Sequence, residues 1–309
     1  MDIPIQAPGL CLPSLCPPLA SGSRQADCLG VSNDRGSCPE WSRLFDGNLA
    51  FMPVAVDRIP ERSPTEAWHF ALRDHLIESV NGALLDREPF CHIYMEGVFP
   101  ADIYFSLLRH LPSKEAYRPL NLRKWVRRDG TSTRDQFYLT SENLSKLPQE
   151  SAAFWQLLVR AVTDGAFKRN LFAKLAPDLA DRFGVPEERV PEIECVYEIA
   201  LVRDTEDYRI KPHPDGLNKL VTLQCYLPAD ESQLDLGTSL FIRHRGLLGG
   251  SFEEVKRFTF KPNSAYAFPV SESPKRTSWH GREKLTGFTG VRNTLMVLFQ
   301  QVSPRDYAM

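Results

Sequence analysis

His213-Pro214-Asp215, followed tens of residues later by Trp279-His280 and then by Arg292-Asn293-Thr294 at the head of an apolar run, is the part of the sequence that decides the fold. A His-x-Asp pair and a distant second His supply three ligands of the kind that hold a metal on one face and leave the opposite positions open. In an extended segment alternate side chains share a side, so His213 and Asp215 project together, as two ligands of one metal must. Arg292 and Thr294 obey the same rule, and a guanidinium beside a hydroxyl can clamp a carboxylate.

Working outward, the neighbouring sequence has a period of two. Ile193, Cys195, Tyr197, Ile199 and Leu201 alternate with Glu194, Val196, Glu198 and Ala200, which predicts a strand. Further strands are expected over Lys219 to Leu227, Thr238 to Arg243, Arg257 to Phe260, Ser264 to Phe268, Thr277 to Gly281 and Arg292 to Gln300. Short strands parted by Pro, Gly and Asn turns predict an antiparallel sandwich or jelly roll. Upstream the period is helical. Ser63-Pro64-Thr65-Glu66 has the form of a capping box, and Trp68, Ala71, Leu72, Leu76 and Val80 follow at helical spacing. A strand over Pro89 to Tyr94 and a helix from Pro100 through Leu108 come next. A long helical stretch then runs from Gln149 to Phe183, interrupted near Gly165 and Pro177 and ended by Gly184. The expected fold class is mainly β with N-terminal helices (α+β), around a double-stranded β-helix of jelly-roll, cupin-like type. The expected organisation is a disordered or spurious leader at 1–62, a mostly helical support region with a substrate-wall loop at 63–189, and a catalytic core at 190–302.

The order His-x-Asp, His, Arg-x-Thr resembles the Fe(II)/2-oxoglutarate-dependent oxygenases, prolyl-hydroxylase-like members included, over roughly Pro191 to Gln300. A strand, the tetrapeptide Gly97-Val98-Phe99-Pro100 and a helix, from Pro89 to Leu111, also resemble the opening segment of many of these enzymes. The resemblance implies Fe(II) on His213, Asp215 and His280, with 2-oxoglutarate and O2 as cosubstrates. Iron would be chelated by the 1-carboxylate and 2-oxo group, while the distal carboxylate would meet Arg292 and Thr294, since a buried carboxylate needs a partner. Tyr197, Thr222, Gln224 and Tyr226 are inward-facing candidates to complete that site. Related radical halogenases place Gly or Ala where Asp215 stands, so the resemblance implies hydroxylation rather than halogenation, with desaturation, ring closure or epoxidation as variants.

Substrate identity is less legible. Arg123 to Gly130 is a basic run followed by Arg134, Phe137 and Tyr138. In the resembling enzymes the segment before the core forms part of the substrate wall, so Arg127, Arg128 and Arg134 are candidates to hold a substrate carboxylate or phosphate. The same run also reads as a solvated basic loop. His244 is expected at the surface. The expected reaction is hydroxylation of an unactivated C-H bond of a small molecule, an amino acid or natural-product intermediate, with succinate and CO2 as coproducts. The alternatives are a protein or peptide side-chain hydroxylase and a non-catalytic jelly-roll binding module, against which an intact triad argues.

Composition sets the remaining bounds. The 309 residues are 42% hydrophobic with a net charge of -2, so nothing global points to nucleic acid or a membrane surface. No apolar run approaches the roughly 20 residues that span a bilayer. Of seven cysteines, Cys11, Cys16, Cys28 and Cys38 match no tight zinc spacing, and Cys91, Cys195 and Cys225 read as small core residues. A reducing cytoplasm is the expected compartment. The stretch from Met1 to about Pro60, rich in Pro, Ser, Gly and Cys, reads as disordered, or as preceding a true start at Met52. Oligomeric state is open.

Overall fold

The computed structural model describes residues 66–246, 249–272, 276–287 and 290–302, all within one compact unit. The expected leader, its four cysteines and the start of the capping box at Ser63 lie outside the described residues.

Helix α1 (Glu66–Gly82) leads through the two-residue β1 (Leu85–Asp86) into β2 (His92–Glu96) and α2 (Ala101–Arg109). Two further strands follow, β3 (Arg118–Pro119) and β4 (Arg134–Tyr138). A single turn, α3 (Ser141–Leu144), precedes the helical run α4 (Gln149–Val162), α5 (Gly165–Lys174) and α6 (Ala176–Phe183). The breaks in that run have local causes. The Asp164 side chain caps α5 by accepting from the Ala166 amide at 2.7 Å. Pro177 sits in the first turn of α6, where its missing N-H costs nothing, and Gly184 ends the helix at a φ of 63°.

The strands that follow are β5 (Cys195–Asp204), β6 (Ile210–His213), β7 (Lys219–Tyr226), β8 (Ser239–Gly246), β9 (Gly249–Arg257), β10 (Ser264–Pro269), β11 (His280–Arg282) and β12 (Arg292–Gln301). They form two antiparallel sheets, a large one ordered β1-β2-β10-β7-β12-β5-β4-β3 and a small one ordered β6-β11-β8-β9. Both sheets contribute to one aromatic-rich core: Tyr226, Tyr266 and Phe268 from the large sheet and Leu240 from the small one pack with Phe90, Phe258 and Phe260. The fold is thus mainly β with N-terminal helices, in a two-sheet jelly-roll arrangement.

Alternation on the large sheet assigns each face. Leu295, Val297 and Phe299 on β12, Val221, Leu223 and Cys225 on β7 and Ala265 and Ala267 on β10 pack with the helices in one core. Phe172 of α5 meets Phe299 edge-on at 5.5 Å between ring centroids. Each fully buried Val, Leu or Phe among them contributes about 1.5–3 kcal/mol. The intervening residues face the small sheet, and several of them are polar.

The structure departs from expectation at three places. Arg134 to Tyr138 is a strand pairing with β5, so part of the expected substrate-wall loop is an extension of the large sheet. Gly249–Arg257 is a strand, and the stretch expected as strand at Arg257 to Phe260 instead leaves the sheet, with Phe258 and Phe260 buried between the layers. Before β8, Gly237 lies so close to the Phe258 carbonyl oxygen that a Cβ would stand 1.5 Å from it. Only a residue without Cβ can pass there.

Candidate metal centre

His213 closes β6 and His280 opens β11, and the two are direct cross-strand partners in the small sheet. Their rings lie 4.5 Å apart between centroids. Asp215, two residues beyond His213, brings its Oδ2 to 3.9 Å from His280 Nε2. One nitrogen of each histidine and one oxygen of Asp215 lie within 4.8 Å of one another, the separation expected of three ligands around one ion. The strands can approach this closely because Gly281 has no side chain; a Cβ there would stand 2.7 Å from the Ile210 carbonyl oxygen.

The backbone selects the tautomers. His213 Nδ1 lies 3.0 Å from the Lys211 carbonyl oxygen and His280 Nδ1 lies 2.9 Å from that of Ser278. A carbonyl only accepts, so each Nδ1 carries the proton and each Nε2 presents a lone pair. Asp215 is held from both sides: Lys219 Nζ donates to Oδ1 at 2.6 Å and the Thr222 hydroxyl to Oδ2 at 2.8 Å. Burial alone would raise the Asp215 carboxyl, but the His280 ring and Lys219 together bring it down to about 2. Burial, helped by neighbouring His280, pushes His213 down to about 4. At neutral pH His213 is therefore a neutral imidazole and Asp215 a carboxylate, and together with the Nε2 of His280 they make a two-imidazole, one-carboxylate donor set that fits a divalent first-row metal such as Fe(II).

The three residues open onto a cavity of about 510 Å³ between the sheets. At one end Arg134 on β4 and Arg292 on β12 flank Asp204 on β5, all three in one cross-strand row. Arg292 Nη1 donates to Asp204 Oδ2 at 2.9 Å and its Nε to the Leu236 carbonyl at 2.7 Å. Arg134 Nε donates to Asp204 Oδ1 at 2.7 Å. The rings of Tyr226 and Phe260 lie against the Arg292 guanidinium, at 5.4 and 4.7 Å. Two guanidiniums on one buried carboxylate leave an excess positive charge at this end of the cavity.

Three solved structures similar to this chain are two prolyl hydroxylases and a dioxygenase. One is a prolyl hydroxylase of Trichoplax adhaerens in complex with a hypoxia inducible factor oxygen degradation domain peptide fragment, at a TM-score of 0.44 and 10% identity, covering 81% of this chain and 97% of that one. Another is a prolyl-4-hydroxylase of Pseudomonas putida, at 0.42 and 12%, covering 75% and 100%. A third is the dioxygenase for auxin oxidation 1 of Arabidopsis thaliana in its 2-oxoglutarate binary complex, at 0.44 and 9%, covering 77% and 89%. No family model and no curated protein matches the chain.

The other residues singled out in the sequence are distributed as follows. Thr222 and Gln224 line the cavity, but Thr222 serves Asp215, and Gln224 donates to the Thr294 hydroxyl at 3.0 Å while accepting from Tyr266. Thr294 is thereby covered by Gln224 rather than presented beside Arg292. Tyr226 is fully buried and its hydroxyl accepts from the Thr238 amide. Tyr197 is a correction: it shares the parity of Ile199 and Leu201 and packs on Phe299, on the helical face away from the cavity. Arg127 is another, since its guanidinium bonds Thr131, Ser132, Thr205 and Glu206 and stands 3.4 Å from Asp207, outside the cavity lining. Arg128 is exposed and likewise outside the lining, whereas Arg134 lines it but is committed to Asp204. His244 is an exposed residue paired with Glu253 at 2.6 Å, as expected. Sequence reasoning missed Asp204, Lys219, Arg282, Lys124 and Glu198 as cavity or cluster residues. Of these Arg282 carried a signal, because it shares the alternation of His280.

Proposed function

We propose that the chain is an Fe(II)/2-oxoglutarate-dependent dioxygenase that hydroxylates a C-H bond of a small molecule, an amino acid or natural-product intermediate, in the cytoplasm. The observation that carries this reading is the presence, in one cavity, of a set of donors suited to a single divalent metal and a buried cationic end. A mononuclear metal alone suits many chemistries; a metal facing a sealed guanidinium cluster suits an anionic, metal-chelating cosubstrate. Bound Fe(II), 2-oxoglutarate and O2 would supply the oxidising power, with succinate and CO2 as coproducts.

The chain's own residues have separable tasks. His213, Asp215 and His280 would hold the metal, their orientation fixed by the Lys211 and Ser278 carbonyls and by Lys219 and Thr222. Arg292, positioned by Asp204, would take the distal carboxylate at the cationic end, with Gln224, backed by Thr294, in the wall between. The rest of the cavity, lined by Leu120, Leu122, Trp125, Tyr138 and Leu298 with Lys124 and Glu198 as charged groups, would admit the substrate. A volume of about 510 Å³ falls within the roughly 300–1,000 Å³ of small-molecule sites, room for a cosubstrate and a metabolite together. Residues 190–302 would form the catalytic core and 63–189 its support, the latter lending Arg134 to the site.

A panel of amino acids, other metabolites and peptides, scored by succinate release with Fe(II) and 2-oxoglutarate, tests the substrate class. Stimulation by a free small molecule is the expected result. Stimulation confined to peptides would move the reading to a peptide hydroxylase.

A further inference from the structure

Arg282 stands two residues beyond His280 on β11, lines the same cavity, and is 7% exposed. Its Nε is buried without a hydrogen-bond partner among the described residues, and its Nη1 reaches the Gly237 carbonyl only at 3.4 Å. Arg292 differs: its Nε and Nη1 are engaged at 2.7 and 2.9 Å. The two guanidiniums nevertheless converge, because Arg292 grips Leu236 and approaches Thr238 while Arg282 reaches toward Gly237 between them. They belong to opposite sheets. Tyr226 and Phe260 lie against the Arg292 guanidinium, and Tyr266 lines the same cavity as both arginines.

A buried guanidinium with an idle donor is costly unless something pairs with it. The charged groups around it are Arg292 and Arg257, which are like charges, and the acids Asp235 and Glu283. Glu283 is in any case bonded to Arg257 at 3.1 Å. Arg134 and Arg292 already share the Asp204 carboxylate, whereas Arg282 lines the same cavity with no carboxylate bonded to it among the described residues.

We propose that Arg282 is a carboxylate-binding residue: it closes a two-guanidinium seat with Arg292, so that the distal acid of a 2-oxo dicarboxylate is held between the two sheets rather than by β12 alone. This rests on the proposed cosubstrate. The seat selects for a second carboxylate at the far end of the ligand, and it makes cosubstrate binding tie the small sheet to the large one.

The test is calorimetric titration of the full chain loaded with Mn(II), using 2-oxoglutarate and 2-oxopentanoate, which has a methyl group in place of the distal carboxylate. The wild type should prefer 2-oxoglutarate strongly. Arg282→Ala should raise the Kd for 2-oxoglutarate about tenfold or more, leaving 2-oxopentanoate and Mn(II) binding unchanged, since a charge-assisted hydrogen bond is among the strong ones. If the Ala protein does not fold, Arg282→Lys, which keeps charge but loses the fork, should still bind 2-oxoglutarate several-fold more weakly. An unchanged 2-oxoglutarate Kd in either folded variant, with loss confined to Arg292→Ala, overturns the role of Arg282 and leaves the proposed function standing. A wild type that binds Mn(II) but does not distinguish the two oxo acids overturns both.

Discussion

Asp204 on β5 faces Arg292 across β12 with 2.9 Å between Oδ2 and Nη1, and the two residues are 0% and 2% exposed. Burying an ion pair this completely costs desolvation on both sides, so its presence is weak evidence for stability and better evidence that a cation is needed at that place. Asp204 also accepts from Arg134 and so fixes two guanidiniums at the end of a cavity whose other feature is a metal-ligand set.

Removing that carboxylate strands two buried cations. Asp204→Ala is expected to lower unfolding free energy by about 3–5 kcal/mol, measured by urea denaturation. A loss below about 1 kcal/mol would mean that water reaches the cluster and that it is not sealed.

Gly281 couples packing to metal binding. A methyl group there would press on the Ile210 carbonyl at 2.7 Å and part β11 from β6, the two strands that place His280 opposite His213. Gly281→Ala should cost about 1–3 kcal/mol of stability and weaken divalent-metal binding markedly. Titration with Mn(II) would show the effect, and wild-type affinity would rule out register as the device that sets the site.

Arg127 stitches Thr131 and Ser132 to Thr205 and Glu206. Arg127→Ala is expected to lower the melting temperature by several degrees, through about 1–2 kcal/mol, while leaving succinate release per folded molecule unchanged. A selective rise in the Michaelis constant for a substrate would return this residue to the substrate wall.

The metal-free protein should lose stability on mild acidification. His213 is held down to about 4 in the fold against an ordinary 6.5, so the fold prefers its neutral form. That contribution is fully present above about pH 6.5 and is lost as pH falls through about 4. Thermal melts between pH 7 and 4 should show the decline, and His213→Gln should flatten it. An identical pH profile in the variant would show that other groups govern acid stability.

The triad was legible in the sequence because its three side chains share one chemical purpose and a spacing that strand geometry can satisfy. The cluster behind it was not, since Asp204 ends an alternating strand as an ordinary aspartate and gains its meaning only from the Arg134 and Arg292 pairing across three strands. Tyr197 was placed on the wrong face because β5 buries both of its sides, so alternation does not say which side holds the cavity. Arg134 to Tyr138 reads as loop for the opposite reason. Its inward residues, Arg134 and Gln136, are polar because they line a polar cavity, and this hides a strand.

The central claim is that His213, Asp215 and His280 hold one iron that 2-oxoglutarate then chelates. Anaerobic titration of the purified chain with Fe(II) followed by 2-oxoglutarate measures this directly through metal stoichiometry and the visible charge-transfer band. One Fe(II) per chain, with the band present in wild type and absent from Asp215→Ala and His280→Ala, is the predicted result. Equal iron binding and an equal band in those variants would place the metal elsewhere and contradict the account.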